Sequence, residues 1–340
     1  MKRMLIIIVV SIMVFSFVLA FATSCKTEIA ESTVSEITSA EALSVETTAS
    51  SVETGEKIKI GFTILCTDGF YIRKYIERFE EQVKNHGYDY VMLDCTFDTA
   101  KQVSQIDNLI AQKVDVMFVM PNDPKALIPG IKKAKEAGIP VLIVHDTIDP
   151  SGMQYAIGYA GASTELLGQQ AAKLMNEALN NKGNIVVLGA SWGANYGGLG
   201  IYEKGFKPTL SPEINILAEG DMGWDRAKSM GLMEDFLTKY DNIDGAFVFD
   251  DNTALGAIDA IKAAQREGIK VVSINGQKEA FDAIKAGDLY GTVKMDPVAN
   301  VDKAFESLDL YLSGKEVPQY NYSESPIVTK ENVDSIEPCF

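Results

Sequence analysis

From Lys57 onward, short apolar runs alternate with amphipathic segments. Lys57–Leu65 reads as a buried strand; Ile72, Ile76, Phe79 and Val83 then recur at helical spacing, and Gly87 follows as a C-terminal stop. Tyr90–Leu93 is the next strand, Val103, Ile106 and Leu109/Ile110 make a helical face, and Val114–Met120 is a further strand. Leu127, Ile131 and Ala134 lie on a helix that Gly138 ends, before a strand over Val141–Val144. The alternation resumes after Ser163, with a helix carrying Leu167, Ala171, Leu174 and Ala178 and a strand over Ile185–Leu188. The strand Ala246–Phe249, a helix with Leu255, Ile258 and Ile261, and the strand Lys270–Ile274 complete the pattern. This rhythm predicts right-handed βαβ units, hence parallel sheets with helices on both faces. The strands are too many for one sheet. Two sheets of about five or six strands each, and so two lobes, are expected, with the break near Tyr159–Ser163.

The first 56 residues follow a different pattern. Lys2 and Arg3 precede an apolar run from Leu5 to Ala22, and the small residues Ala22-Thr23-Ser24 lead into Cys25. Basic, apolar, small is the layout of a secretory signal peptide. The cysteine directly after the small residues resembles a bacterial lipoprotein signal, which implies cleavage before Cys25 and a lipid on its sulfur. The alternative is a signal anchor, since the run is nearly long enough to span a bilayer. Either way the remainder is expected outside the cytoplasm and tied to a membrane. Lys26–Glu56 is rich in Ser, Thr, Glu and Ala. Such a segment buries too little apolar surface to offset its ordering entropy, so 25–56 reads as a disordered tether behind a signal peptide at 1–24.

Composition narrows the function. With 46% hydrophobic and 23% charged residues the chain can build real cores. The net charge of −16 argues against nucleic acid and anionic lipid headgroups as partners. The cysteines are Cys25, Cys66, Cys95 and Cys339, without CxxC or Cys/His spacing for zinc. His86 and His145 are the only histidines, which leaves little for a His-based metal centre or triad. Neither GxSxG, HExxH nor a GxxxxGK[ST] loop occurs. Gly197-Gly198-Leu199-Gly200 lacks the spacing and acidic partner of a dinucleotide fingerprint. No cofactor or metal is implied, and a binding role is expected ahead of the remaining alternative, a lipoprotein enzyme acting on sugars.

In open parallel sheets the ligand site lies outside the C-terminal ends of the strands. Those ends carry Asp68, Phe70 and Tyr71; Asn122 and Asp123; His145 and Asp146; Trp192 and Asn195; Trp224 and Asp225; Asp250 and Asp251; and Asn275 and Gln277. Carboxylates and amides flanked by aromatic rings suit polyol recognition: hydroxyls take paired donors and acceptors, and the C–H faces of a sugar pack on rings. Asp123 and Asp251 equally suit helix N-termini. One of Phe70 and Tyr71 is expected on the core face of its helix. His145 either bonds a ligand or satisfies local backbone. Cys66 and Cys95, near the ends of neighbouring strands, are either a disulfide or two buried thiols.

Lys59-Ile60-Gly61-Phe62, Thr67-Asp68-Gly69-Phe70-Tyr71, Gln105–Ile110, Val119–Asp123 and Ala137–Val141 stand in one order with Gly223–Ala227, Phe249–Gly256 and Gly291-Thr292-Val293. Together, over roughly Lys57 to Val328, they resemble the ribose-binding family of periplasmic sugar-binding proteins, the type 1 solute-binding proteins of ABC transporters. The resemblance implies an α/β fold of two doubly wound parallel-sheet lobes joined by a three-crossing hinge. The crossings fall near Ala160–Ser163, Met295–Pro297 and Tyr320–Ser325, so the N-terminal lobe is 57–160 plus 296–320 and the C-terminal lobe 162–294 plus 321–336. It also implies a monomer that closes on a sugar or polyol and presents it to a membrane permease or, alternatively, to a chemoreceptor or sensor kinase.

By the same resemblance Asp68 stands for the family's usual Asn, and Phe70 and Tyr71 for its aromatic pair. Trp224 stands for the aromatic on the other face. Asp250 and Asn275 stand for hydroxyl-binding side chains. His145 falls where an Asp is usual, Asp146 where an Arg or Ser follows, Met295 where a Gln is usual, and Gly200 where the ribose branch has an Arg. Those departures argue against ribose itself. Trp192 and Asn195, in a longer loop, are expected to reshape the second-lobe side.

Overall fold

A computed structural model describes residues 57–193 and 195–340; only the backbone of Asn195 and Tyr196 is included. The expected signal peptide and tether, with Cys25, lie outside the described residues. Among the described residues no helix is long and apolar enough to cross a membrane.

The first lobe begins with β1 (Lys59–Ile64), α1 (Phe70–His86), β2 (Asp89–Asp94), α2 (Thr99–Ala111) and β3 (Val116–Val119). It continues with α3 (Ile128–Glu136), β4 (Val141–Val144), a 3-10 turn over Pro150–Tyr155 and β5 (Gly158–Gly161). The second lobe runs α4 (Thr164–Ala178), β6 (Gly183–Gly189), a π-helical segment over Asn195–Phe206, α5 (Lys207–Thr209), β7 (Ile214–Asp221) and α6 (Arg226–Lys239). Then come β8 (Gly245–Val248), α7 (Asp251–Ala263), β9 (Lys270–Asn275), α8 (Lys278–Ala286) and β10 (Gly291–Lys294). The chain finishes with α9 (Pro297–Leu312), β11 (Tyr320–Tyr322) and β12 (Ile327–Thr329).

The two six-stranded sheets have orders β2-β1-β3-β4-β5-β11 and β7-β6-β8-β9-β10-β12. Each order reverses between its first and third strands in sequence, which places a topological switch point at the C-terminal ends of β1/β3 and of β6/β8. Every pairing is parallel except β12 against β10. Each sheet thus closes with a strand that returns after α9. This is the two-lobed α/β fold expected from the alternation of apolar runs.

The cores follow the predicted faces. Ile72, Phe79 and Val83 of α1 are buried against β1 and β3, where Phe62, Phe79, Phe118 and Phe305 form one aromatic cluster. The second lobe has its own core, with Phe206 stacked on Phe247 at 4.1 Å. On α2 the buried position is Gln102 in place of Val103, which is half-buried. The exchange is physically sound because Gln102 donates to Met120 O at 2.7 Å and accepts from Asn122 N at 2.9 Å, so its amide is satisfied inside. One boundary needs correction. Asn321 and Tyr322 pair with Ala160 and Gly161 in the first sheet, so the second lobe does not resume at 321. Asn321 stays because its amide reaches Ser307 Oγ of α9 at 3.2 Å.

The glycine-rich stretch after β6 builds the π-helical segment. That segment lies directly on α4: a Cβ on Gly168 would sit 1.9 Å from Ile201 O, and one on Gly205 would sit 2.4 Å from Glu165 O. Only glycine permits so close a backbone approach.

Candidate functional site

Besides Thr96 and Phe97 after β2 and four residues just past helix ends, four non-glycine residues at the C-terminal ends of strands hold positive φ: His145 (66°), Ser191 (51°), Trp224 (58°) and Asn275 (129°). They follow or end β4, β6, β7 and β9. Unfavourable backbone concentrates where function over-determines it, and here it falls on the loops that the sheet topology selects.

On the first lobe, Asp68 is exposed in the loop after β1, and Phe70 opens α1 with 57% of its surface exposed beneath the Arg73 guanidinium, 4.9 Å from the ring centre. Tyr71 is the half-buried member of the pair. Its ring lies 5.2 Å from His145 and 6.5 Å from Tyr75, and it packs against the cores of both lobes. Asn300 Nδ2 donates to the Tyr71 hydroxyl at 2.6 Å, and Ser323 Oγ donates to Asn300 Oδ1 at 2.5 Å. His145 is 5% exposed, and burial pushes its imidazole down to about 4. A neutral ring is thus the resident form at neutral pH. Asp146, also buried, accepts from Thr147 N at 2.7 Å.

Asn122 and Asp123 are turned to local work. Asn122 Nδ2 donates to Phe97 O and Thr99 Oγ1, and Asp123 Oδ1 accepts from Lys125 N and Ala126 N, as an N-terminal capping carboxylate does.

On the second lobe, Trp224 Nε1 donates to Ser191 Oγ at 2.9 Å, and its ring is 6.5 Å from Phe249. Trp192 packs 5.4 Å from both Phe249 and Tyr202. One aromatic wall therefore runs from β8 to the loops after β6 and β7. Asn195 opens the π-helical segment. Asp250 caps α7: Oδ1 accepts from Thr253 N at 3.1 Å and Oδ2 from Thr253 Oγ1 at 2.6 Å. A carboxylate offers about four acceptor sites, so Asp250 keeps acceptor capacity beyond its cap. Burial pushes its carboxyl above the usual range. Asn275 and Met295 are both buried, and Met295 N donates to Asn275 O at 3.0 Å, joining β9 and β10 just where they end.

The sequence matches the periplasmic binding protein domain family over residues 60–316. The chain belongs to that family. Within it the chain is of the ribose-binding type. It is 30% identical to a xylitol-binding protein of Mycolicibacterium smegmatis over 283 residues, covering 81% of this chain and 78% of the relative. It is 27% identical to a ribose import binding protein of Bacillus subtilis, covering 77% and 84% of the two chains. Among solved structures, a Bacillus halodurans solute-binding protein of an ABC transporter with bound myo-inositol has a TM-score of 0.75 at 25% identity, covering 83% and 98%. A periplasmic solute-binding protein of Actinobacillus succinogenes with bound D-allose has a TM-score of 0.72 at 28% identity, covering 82% and 100%.

The roles of two residues near these strand ends were not evident from the sequence. Asp251 is wholly buried and accepts four hydrogen bonds, from Ser273 Oγ, Thr292 Oγ1, Gly276 N and Gln277 N at 2.5–2.8 Å. It organises the loop after β9 from below, and burial pushes it up to about 7 against those bonds. Asn300 sits on the buried face of α9 between Pro297 and Val301. An Asn on the apolar face of a helix requires a partner, and that was the available signal. Cys66 and Cys95 are separate thiols: Cys66 Sγ donates to Asp68 O and Cys95 Sγ to Leu65 O. Among the described residues no three His, Cys, Asp or Glu side chains gather as metal ligands.

Proposed function

We propose that this chain is the solute-capturing lipoprotein of an ABC importer for a sugar or polyol. The carrying observation is the pair of matched switch points. In this reading the strand ends around the first supply Asp68, Phe70, Tyr71, His145 and Asp146 to the solute, and those around the second supply Trp192, Asn195, Trp224, Asp250, Asn275 and Met295. The family match and relatives named for xylitol and ribose support this solute class. Rings would cover the C–H faces of the solute while Asp250, Asn275 and Asp68 accept from or donate to its hydroxyls. Because contacts come from both lobes, the solute favours the arrangement in which they approach, and this shifts the hinge equilibrium. The binding protein acts as a monomer, without cofactor or catalysis, outside the cytoplasm. A lipid on Cys25 holds it to the membrane, and 25–56 gives it reach to the permease.

A thermal-shift screen with xylitol, D-ribose, D-allose and myo-inositol tests the solute class. A solute at 100 times its dissociation constant stabilises by about 2.7 kcal/mol. If a wider panel of sugars and polyols also leaves the melting temperature unchanged, the solute class is wrong. Mass spectrometry of the mature N-terminus tests the anchor. Cys25→Ser should abolish acylation, and a wild-type mature chain without acyl groups and starting elsewhere than Cys25 would refute the lipoprotein assignment.

A further inference from the structure

The segment after β12 returns to the loop that follows β9. Val333 and Ile336 pack on the second core. Cys339 and Phe340 then run along the loop between β9 and α8. Cys339 N donates to Gly276 O at 2.8 Å, and Lys278 N donates to the Phe340 main-chain oxygen at 2.9 Å. The buried Cys339 thiol donates to Asn275 O at 3.2 Å. Gly276 has φ +85°, and a Cβ there would meet Cys339 Sγ at 3.3 Å and Lys294 Cγ at 2.9 Å, so the loop is shaped to receive the tail.

From this seat Phe340 crosses to the other lobe. Its ring meets Tyr71 edge to face, with centroids 6.4 Å apart and planes at 81°. Tyr71 is itself held by Asn300, which Ser323 of the hinge crossing holds in turn. We infer that Cys339–Phe340 is a latch: this segment belongs to the second lobe, and the Phe340 ring clasps Tyr71 of the first beside the proposed solute site. The contact exists only while the lobes approach, so it favours the same arrangement that a solute favours. Phe340 therefore slows solute release without belonging to either sheet. The effect on solute rests on the sugar-binding reading; the clasp itself does not.

The test uses the full chain and two readouts. The first is hydrogen exchange without solute, at the Lys278 amide. Phe340→Ala should raise its exchange. Tyr71→Leu, on the opposite lobe, should do the same, and the double variant should exchange no faster than either single one. A tail merely docked on its own lobe would ignore Tyr71→Leu, and that result overturns the latch. The second readout is the dissociation constant for xylitol, D-ribose or myo-inositol, whichever wild type binds. An edge-to-face pair corresponds to roughly a 2- to 10-fold weakening in Phe340→Ala, appearing as faster dissociation and restored by Phe340→Tyr. Unchanged or tighter binding in Phe340→Ala overturns the proposal, the tighter case marking the tail as a plug. If wild type binds none of the three, the solute class is in question while the exchange readout still decides the latch.

Discussion

The Asn300 side-chain amide donates to the Tyr71 hydroxyl at 2.6 Å, joining a helix that follows one hinge crossing to a ring packed on the cores of both lobes. Asn300 is fully buried and bonded on its other side to Ser323. Asn300→Ala strands the Ser323 hydroxyl and removes the donor to Tyr71. A buried polar group left unsatisfied costs about 1–3 kcal/mol. Urea denaturation should show a loss in that range, and solute affinity should fall with it because Tyr71 is no longer aimed.

Trp224 and Asp250 should separate binding from folding. Trp224→Ala removes one aromatic face, a class of truncation that commonly costs about 2 kcal/mol or more of binding. Trp224 is only partly buried, so its loss should leave the fold cooperative. Asp250→Ala should weaken binding by about 1.5–3 kcal/mol, the range for hydrogen bonds to charged groups. It should also cost about 1 kcal/mol of stability as the α7 cap is lost. Calorimetric titration beside thermal denaturation measures both, and unchanged affinity in the two variants would remove them from the site.

Gly168→Ala tests the seam between α4 and the π-helical segment. The added methyl would lie 1.9 Å from Ile201 O, a backbone atom that no rotamer change can move. On an exposed helix the same substitution stabilises by up to about 1 kcal/mol. Here the sign should reverse, with a loss of about 1–3 kcal/mol for overpacking. A variant more stable than wild type would mean that the segment yields.

The pH dependence carries two opposed contributions. His145 has its folded pKa lowered from 6.5 to about 4, so between those values the unfolded chain binds a proton that the folded one refuses. Stability from His145 therefore rises with pH from about 4 to 6.5 and is flat above. Asp251 is the reverse. Its folded pKa of about 7, against 3.8, keeps a proton that the unfolded chain sheds, so its contribution falls across about 4 to 7. Asp250, whose carboxyl burial also raises, adds to the falling side, so the part due to His145 is read by difference. His145→Gln removes the rising part, so wild-type stability relative to this variant should climb by about 3 kcal/mol from pH 4 to 6.5. Denaturant titrations at both ends of the window measure it, and a difference independent of pH would show that His145 is not held neutral.

Periodicity determined the alternation of strands and helices and the two sheets; the three hinge crossings came from the family resemblance. β4 matches its expected bounds, and β1, β2, β3, β6, β8 and β9 lie where the apolar runs fall. Burial selects apolar residues at the period of the element, and that selection is written locally. The topological rule for parallel sheets then picked out loops that do carry Tyr71, His145, Trp224, Asp250 and Asn275 at strand ends. Tertiary structure alone decided what those residues touch. The choice between Phe70 and Tyr71 depended on α9 supplying Asn300 from 229 positions along the chain. Asp251 became a four-bond organiser only because β9 and β10 bring Ser273 and Thr292 beneath it. Phe340 reached Tyr71 because the segment after β12 folds back over Gly276. Hydrogen bonds and ring contacts between distant segments leave no periodic trace. They depend on a few ångströms of placement that only the packed chain defines.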